Sequence, residues 1–290
     1  MLKRYAIVVA CAAGFEIGAG CSAHVGKPED TTSEPRARAE LTVTRDIVYT
    51  PADWPQSLGA DLYRPTGVES APGVVVVHGG GWERRSRADM SALSHDVAER
   101  GFVVMNVSYR FAPKWRFPAQ LADVQQGVLW LRAHAAEHGV DGERIGVWGY
   151  SAGAHLAALA GMTSPGDEHF VEGARVQAVV AGGTPVDVRQ YPESPLVRGL
   201  MGVEYRDDEE LWREASPVAL VSNDDPPTFL YHGTFDLTVS DDNAHAMYDA
   251  LRQSGVAAEL YLARGQGHVS TLLLDGPVDR GIEFLDRHLR

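Results

Sequence analysis

The sequence predicts an α/β fold built on a mostly parallel, doubly wound sheet, and three observations carry that prediction. Short apolar runs alternate with helical stretches from residue 74 onward, which is the pattern of crossover units on a parallel sheet. The run Val74–Val77 is apolar and β-branched at every position, as expected for a strand that helices cover on both faces. Leu41–Tyr49 instead alternates apolar and polar residues, which indicates a half-exposed strand at an antiparallel edge.

The predicted elements follow in order along the chain. Ala60–Tyr63 is the expected partner of the edge strand. The later predicted strands are Val74–Val77, Phe102–Met105, Ile145–Trp148, Val176–Ala181, Thr228–Tyr231 and Val256–Leu262. The predicted helices are Ala88–Arg100, Pro118–Glu137, Ala152–Gly161, Asp241–Gln253 and Gly281–Leu289. Sheets of this kind bind ligands at the carboxyl ends of their strands, so we expect the loops after these strands to converge on one side.

Residues 185–217 interrupt this alternation. The stretch contains several prolines and large apolar side chains but no long strand or helix pattern. We expect a short helical excursion over the sheet edge that acts as a partial lid. A surface connection that only packs against the sheet is the alternative.

The N-terminal part of the chain has the composition of an exported protein. Residues 1–23 combine two basic residues, a short apolar core and small residues, which is the layout of a bacterial export signal. Gly18–Cys21 resembles a lipoprotein signal, so we expect either a lipid anchor through Cys21 or simple secretion. Residues 24–40 are polar and are predicted to form a disordered tether, which leaves 41–290 as the folded domain. The expected location is the periplasm, the medium or, for a lipoprotein, a membrane surface.

Composition excludes several classes of function. The chain has 290 residues, of which 44% are hydrophobic, and a formal net charge of −13. Its most basic run is Glu83–Arg87, so nucleic acids and anionic membranes are not expected partners. Both cysteines, Cys11 and Cys21, lie in the predicted signal, which excludes a disulfide scaffold and a cysteine nucleophile in the folded domain. No zinc-binding pattern such as H-E-x-x-H is present, and we predict no metal and no cofactor.

A G-x-S-x-G pattern lies between a predicted strand and a predicted helix. It spans Gly149–Gly153 and has Ser151 at its centre. A strand that turns directly into a helix brings backbones close together, and the two glycines leave room for that turn. Ser151 is therefore the candidate nucleophile, on a strained bend at a helix N-terminus where amides favour developing negative charge. A serine that merely begins a helix is the plainer alternative.

A serine hydroxyl needs a base and a group that orients the base. Asp236 follows the strand Thr228–Tyr231, beyond a glycine that allows the loop to turn. His268 follows the last strand, after two glycines that let its loop reach across the sheet. Asp241 and Asp242 compete with Asp236, but their place at a helix start is explained by capping. The remaining histidines lie in helices, in polar segments, or beside glycines where they are expected to hydrogen-bond their own loops.

Three consecutive glycines follow the strand Val74–Val77, within His78–Trp82. Backbone amides approach a substrate only where side chains are absent, so this loop is the candidate oxyanion-binding segment. A phosphate-binding loop is excluded, because a G-x-G-x-x-G pattern would require glycine where Arg84 stands and no Lys-Ser/Thr pair follows.

Together these segments resemble the α/β-hydrolase superfamily, in the branch of bacterial carboxylesterases that carries an H-G-G-G motif and is close to acetylxylan and feruloyl esterase-like proteins. The matching segments are His78–Trp82, Ser108–Pro113, Gly149–Gly153, His232–Asp236 and Gly267–His268. The resemblance implies that Ser151 is the nucleophile, His268 the base and Asp236 the orienting carboxylate, in that superfamily's chain order.

The resemblance also implies that the amides of Gly80, Gly81 and Ala152 hold the oxyanion. One departure is Tyr150, which stands where the hormone-sensitive-lipase-like branch usually has Asp. That departure shifts the expectation toward polysaccharide esterases and general carboxylesterases.

We therefore expect an exported serine carboxylic-ester hydrolase that acts on small-molecule or carbohydrate esters, with short acyl groups or polysaccharide-linked esters as the candidate substrates. The candidate pocket residues are Trp82, Tyr150, Trp115, Phe117, Tyr191 and Trp212. An amide hydrolase of the arylformamidase type is an alternative with the same machinery. A prolyl-oligopeptidase-type peptidase would need a large N-terminal propeller, which the short polar N-terminal stretch cannot supply. A non-catalytic ligand-binding protein on the same fold is the remaining alternative.

Overall fold

A computed structural model describes residues 22–27 and 38–290. Nearly all of the predicted export signal and the segment 28–37 of the predicted tether lie outside the described residues. Within the described ranges, no helix combines the length and the apolar character that crossing a bilayer requires.

The core of the fold is a nine-stranded sheet in the order β1-β9-β8-β7-β6-β4-β5-β3-β2. The strands are β1 Ala23–Val25, β2 Leu41–Val48, β3 Gly59–Pro65, β4 Ala71–Val77, β5 Val103–Val107, β6 Val140–Tyr150, β7 Ala178–Gly182, β8 Thr228–Gly233 and β9 Ala258–Ala263. The six strands β4 to β9 pair in parallel. Strands β2 and β3 continue the sheet antiparallel beyond β5. The predicted parallel sheet with an antiparallel N-terminal edge is therefore confirmed.

Helices cover both faces of this sheet. They are α1 Ser91–Glu99, α2 Ala119–Ala133, α3 Ala135–His138, α4 Ala152–Met162, α5 Pro195–Met201, α6 Glu209–Glu214, α7 Asp242–Gln253, α8 His268–Leu272 and α9 Asp275–Leu289. Val75 and Val77 pack into the core on the side of α2, α4 and α7. Val74 and Val76 pack into the second core, on the side of α1 and α9. The apolar run that predicted a doubly covered strand thus contributes alternate side chains to two separate cores.

The segment 185–217, named the lid segment below, is the predicted helical excursion. It contains α5, α6 and short 3-10 turns, and it follows β7 before the chain returns as β8. Val197, Leu200 and Met201 of α5 are buried in the core. Their burial anchors the segment to the sheet, while neighbouring residues of α5 remain accessible.

The structure corrects the predicted tether at His24 and Val25. These residues belong to β1, which pairs antiparallel with β9. The His24 Nε2 atom lies 2.9 Å from Oε2 of Glu259, a buried carboxylate that also pairs with Arg287. The polar composition of residues 24–40 predicted disorder because it includes few side chains that could pack in a core. Backbone pairing and a charged partner hold this strand instead.

Candidate active site

Ser151 stands between the end of β6 and the start of α4, with φ 55° and ψ −124°. That conformation is costly for a residue with a side chain and persists only where the surroundings enforce it. A Cβ on Gly149 would lie 2.1 Å from the carbonyl oxygen of Gly153, and a Cβ on Gly153 would lie 2.2 Å from that of Val77. Glycine is therefore required on both sides of the serine. The tight strand-to-helix turn predicted from the sequence is present.

His268 and Asp236 meet Ser151 from two other loops. Asp236 lies in the loop that follows β8, and His268 is the first residue of α8, after β9. The His268 Nε2 atom lies 2.8 Å from Ser151 Oγ, and its Nδ1 atom lies 2.6 Å from Asp236 Oδ2. The three side chains thus form a continuous hydrogen-bonded chain, although the histidine and the serine are 117 positions apart in the sequence.

The contacts of Asp236 determine which nitrogen of His268 carries the proton. Oδ1 of Asp236 accepts hydrogen bonds from the amides of Thr238 at 2.8 Å and Val239 at 2.9 Å. An ionised carboxylate only accepts, so His268 must donate from Nδ1 to Oδ2. The neutral imidazole then presents its Nε2 lone pair to the hydroxyl of Ser151, as a general base requires.

His232 is a second histidine at the same carboxylate. Its Nε2 lies 2.9 Å from the carbonyl oxygen of Val239 and 3.2 Å from Asp236 Oδ2. Both partners are acceptors, so Nε2 carries a proton. Burial raises the pKa of the Asp236 carboxyl, but hydrogen bonds from His232, His268 and the Val239 amide outweigh burial and hold that pKa well below its ordinary value. Sequence reasoning predicted only the loop contact of His232; its position four residues before Asp236 was the available signal.

Gly80 and Gly81 lie in the loop that follows β4. Both have positive φ, 117° and 62°, and a Cβ on Gly80 would lie 2.1 Å from the carbonyl oxygen of Arg84. Ala152 is the first residue of α4, a position whose N–H has no acceptor within the helix. All three line the same cavity as Ser151. Two residues without side chains and the first residue of α4 therefore line the cavity that contains Ser151.

Tyr150 fixes the segment that bears His268. Its hydroxyl donates a hydrogen bond to the backbone carbonyl of His268. The ring centroids of the two residues are 5.4 Å apart. Gly183 completes this arrangement, because a Cβ there would lie 3.0 Å from the Tyr150 hydroxyl and 3.1 Å from Cε1 of His268. The tyrosine thus positions the imidazole through the main chain. An ionised aspartate could not donate this hydrogen bond.

The cavity above Ser151 has a volume of about 440 Å³ and is open to solvent. Of the aromatic residues predicted for the pocket, Trp82, Tyr150 and Tyr191 line it. Further lining residues come from four parts of the chain, and none of them was predicted for the pocket. They are Arg84, Arg85, Asp89 and Met90 after the three glycines, Pro185, Ser194, Leu196 and Val197 of the lid segment, Thr238 and Val239 after Asp236, and Val269, Leu272 and Leu273 in and directly after α8. Helix α8 has too few residues to show a helical period in the sequence, which explains the omission of its residues.

Three predicted pocket residues lie elsewhere, and those predictions are wrong. Trp212 is fully buried in α6, with its ring centroid 5.6 Å from that of Tyr205. Phe117 is buried with its ring edge-on to His169. Trp115 donates from Nε1 to Gln56 and lines a separate surface depression. Aromatic side chains in loops serve cores as often as pockets, and only their three-dimensional neighbours distinguish the two.

His155 packs beneath the site. Its Nδ1 accepts a hydrogen bond from Trp82 Nε1 at 3.2 Å, and its Nε2 donates to the carbonyl of Ala215 at 2.8 Å. It therefore connects the glycine loop to the end of the lid segment. Burial lowers the pKa of His155 to about 4, which keeps the imidazole neutral in this position.

Potential metal ligands come together outside the cavity. Among the residues that the structure describes, His95, Asp96 and Glu99 on α1 approach one another closely enough to hold an ion. The guanidinium of Arg38 already pairs with Glu99 at 2.6 Å, which disfavours a cation there. None of these residues lines the cavity that contains Ser151.

Comparison with known proteins relates this chain to esterases. Residues 60–251 match the BD-FAE family model. The probable carboxylic ester hydrolase LipM of Mycobacterium tuberculosis is 32% identical over 224 residues, covering 72% of this chain and 51% of LipM. Esterase LipC of the same organism is 33% identical over 217 residues, covering 70% of this chain and 54% of LipC. The chain thus spans about half the length of these curated relatives.

Solved structures agree with the fold. A thermophilic esterase of Thermogutta terrifontis superposes with a TM-score of 0.70 at 26% identity, covering 86% of this chain and 92% of the esterase. A truncated carbohydrate esterase from gut microbiota, at 22% identity, gives a TM-score of 0.75 over 88% of this chain and 98% of that one. By its matching sequence model and its sheet, this chain belongs to the BD-FAE family and has the α/β-hydrolase fold.

Proposed function

We propose that this protein is a serine carboxylic-ester hydrolase that uses Ser151, His268 and Asp236 as its catalytic triad. The observation that carries the proposal is the hydrogen-bonded chain from Ser151 Oγ through both nitrogens of His268 to Asp236, at 2.8 and 2.6 Å. The esterase names of the relatives support the same reaction class.

In the proposed mechanism, Ser151 Oγ attacks the ester carbonyl carbon while His268 Nε2 takes its proton. Negative charge then develops on the carbonyl oxygen, and the amides of Gly80, Gly81 and Ala152 are the donors available to it. His268 next gives its proton to the oxygen of the leaving alcohol, and the acyl group stays on Ser151. A water molecule, deprotonated by His268, hydrolyses this acyl-enzyme and restores the serine.

We propose short acyl chains as the preferred acyl group. Leu196 of the lid segment stands over the oxyanion loop, with its Cδ1 3.0 Å from the position a Cβ on Gly81 would take. Pro185 and Val197 add to the same wall of the cavity. The structures of the Thermogutta esterase include propionate-bound and butyrate-bound forms, and an acyl group of that size suits a side chain this close to Gly81.

A fluorophosphonate probe tests the proposal directly, since the Thermogutta esterase is recorded as phosphonylated by sarin. We expect the wild type to gain one probe mass and Ser151→Ala to gain none. 4-Nitrophenyl esters from acetate to octanoate should show highest kcat/KM at two to four carbons, with N-formyl aryl amides assayed in parallel. A wild type that stays unlabelled and turns over neither class would refute the proposal.

We also propose that the protein is exported, on the composition of residues 1–23. Cell fractionation combined with palmitate labelling of wild type and Cys21→Ser distinguishes the two forms of export. Label that depends on Cys21 indicates a lipoprotein, and unlabelled protein outside the cytoplasm indicates secretion. Retention of both proteins in the cytoplasm would contradict export.

A further inference from the structure

The most exposed large hydrophobic side chains of the described residues gather at one place. They are Leu237, Leu273, Phe235 and Val269, which are 88%, 68%, 67% and 65% exposed, whereas the next, Val48, is 59% exposed and lies at the far edge of the sheet on β2. Phe235 and Leu237 flank Asp236, and Val269 follows His268 directly. These four side chains are called the apolar rim.

Two of the four side chains of the apolar rim line the catalytic cavity. Val269 of α8 and Leu273, the residue directly after α8, both line the cavity that contains Ser151. The Phe235 amide donates to the carbonyl of Gln266 at 2.9 Å, which ties the loop after β8 to the loop before α8. The segments that bear the two pairs are therefore joined, and Val269 and Leu273 are the pair that reaches the cavity.

The direction of proton transfer decides which half of an ester reaches this rim. In the proposed mechanism His268 Nε2 protonates the oxygen of the leaving alcohol, so that oxygen must come within hydrogen-bond distance of Nε2. His268 is the first residue of α8. The substituent of the alcohol consequently leaves the serine on the α8 side.

We propose that the apolar rim binds the alcohol half of the substrate, and that this alcohol is an alkyl or aryl group rather than a sugar. The inference rests on the proposed esterase function. Valine, leucine and phenylalanine side chains offer no hydrogen bonds to carbohydrate hydroxyls, whereas covering them with an apolar group removes exposed apolar surface from water. Exposed apolar side chains that adjoin one another mark surfaces that a ligand or a partner covers.

Acetate esters that differ only in the alcohol test the inference. Ethyl, butyl and hexyl acetate and acetylated xylo-oligosaccharides would be assayed by acetate release, each below its solubility limit. We expect kcat/KM of the wild type to rise from ethyl to hexyl acetate and to be lowest for the oligosaccharide. Val269→Thr and Leu273→Gln should each reduce the hexyl-to-ethyl ratio of kcat/KM by roughly 3- to 10-fold, mainly through KM. Val48→Thr is the matched control, because Val48 is also an exposed valine but lies on β2, and it should leave that ratio unchanged.

Several results would overturn the inference without touching the esterase proposal. One is efficient acetate release with no preference among alcohols, or with a preference for the oligosaccharide. Another is a preference for hexyl acetate that is absent below its solubility limit and appears only when the assay is repeated above it. That result would mean that the rim binds the surface of aggregated ester rather than a single alcohol group. A dimer in light scattering that Leu237→Gln dissociates would assign the rim to a second copy. Absence of turnover on every ester, together with absence of probe labelling, would instead refute the esterase function itself.

Discussion

His232 and His268 approach the same carboxylate oxygen, Oδ2 of Asp236, at 3.2 and 2.6 Å. Two backbone amides donate hydrogen bonds to the other oxygen, Oδ1. The carboxylate therefore has every lone-pair direction supplied by a donor, and it is held ionised and immobile behind His268. Its depressed pKa follows from these donors, because burial alone would raise it.

Loss of His232 should weaken catalysis without removing a reacting group. His232→Leu deletes one donor to Asp236, which raises the pKa of that carboxyl and loosens its orientation. We expect kcat to fall roughly tenfold with KM nearly unchanged, since a hydrogen bond to a charged group contributes about 1.5–3 kcal/mol. His232→Gln keeps an N–H donor and should recover part of the loss. If both variants lost folding stability equally and kept the wild-type kcat, His232 would have only a packing role.

Gly183 should be important for activity because a side chain there would crowd Tyr150 and His268. Gly183→Ala adds a methyl group about 3 Å from the Tyr150 hydroxyl and from Cε1 of His268. We expect kcat to fall roughly 10- to 100-fold, as a small displacement of a catalytic group does. Gly255→Ala is the control, because Gly255 also has positive φ, 82°, but has no atom within 4 Å of the added Cβ. Both variants should lose similar backbone stability, and a similar loss of kcat in both would contradict the steric explanation.

His155→Leu should destabilise the protein in a pH-dependent manner. The change leaves the Trp82 indole N–H and the Ala215 carbonyl without their partner, at a cost of roughly 1–3 kcal/mol for each buried group. The folded-state pKa of His155, about 4, lies below the ordinary value near 6.5. Its stabilising effect is therefore complete above pH 6.5 and is lost as the pH falls toward 4. The difference in Tm between wild type and variant should be largest near pH 8 and should shrink by pH 5; a constant difference would contradict this.

Asp225 should give the opposite dependence on pH. Burial raises the pKa of its carboxyl to about 6, and hydrogen bonds from Ser222 offset only part of that rise. Because the folded state holds the proton more tightly, the stabilisation is present below the ordinary pKa near 4 and is lost as the pH rises through 6. Asp225→Asn cannot ionise, so its Tm should rise relative to that of the wild type between pH 4 and pH 7. The rise should be roughly 2–4 °C for each kcal/mol of unfolding free energy that the wild type loses by ionising Asp225.

The neighbouring Asp224 provides the comparison for that experiment. Its side chain is exposed and its pKa is lowered, chiefly by a hydrogen bond from Ser222. Asp224→Asn should therefore show no gain on the wild type as the pH rises. Parallel behaviour of the two variants would mean that burial of Asp225 is not the cause.

Much of the site was predictable because chemistry and backbone geometry restrict what these segments can do. Gly149–Gly153 predicted a tight turn, and the apolar runs predicted parallel strands whose carboxyl ends share one edge. Asp236 and His268 follow two of those strands, so their loops had to meet near Ser151. Local sequence carries this information because strand period, turn residues and chain order are local properties.

The sequence by itself thus determined the α/β architecture, the strand-to-helix turn at Ser151 and the loops that hold its partners. Only the tertiary structure decided that Tyr191 lines the cavity while Trp115 and Trp212 do not, that His232 shares Asp236 with His268, and that Ala23–Val25 extends the sheet. Each of these depends on neighbours distant in the chain. Neither the local periodicity of the sequence nor its composition indicates which side chains will contact one another after the strands pair and the helices pack.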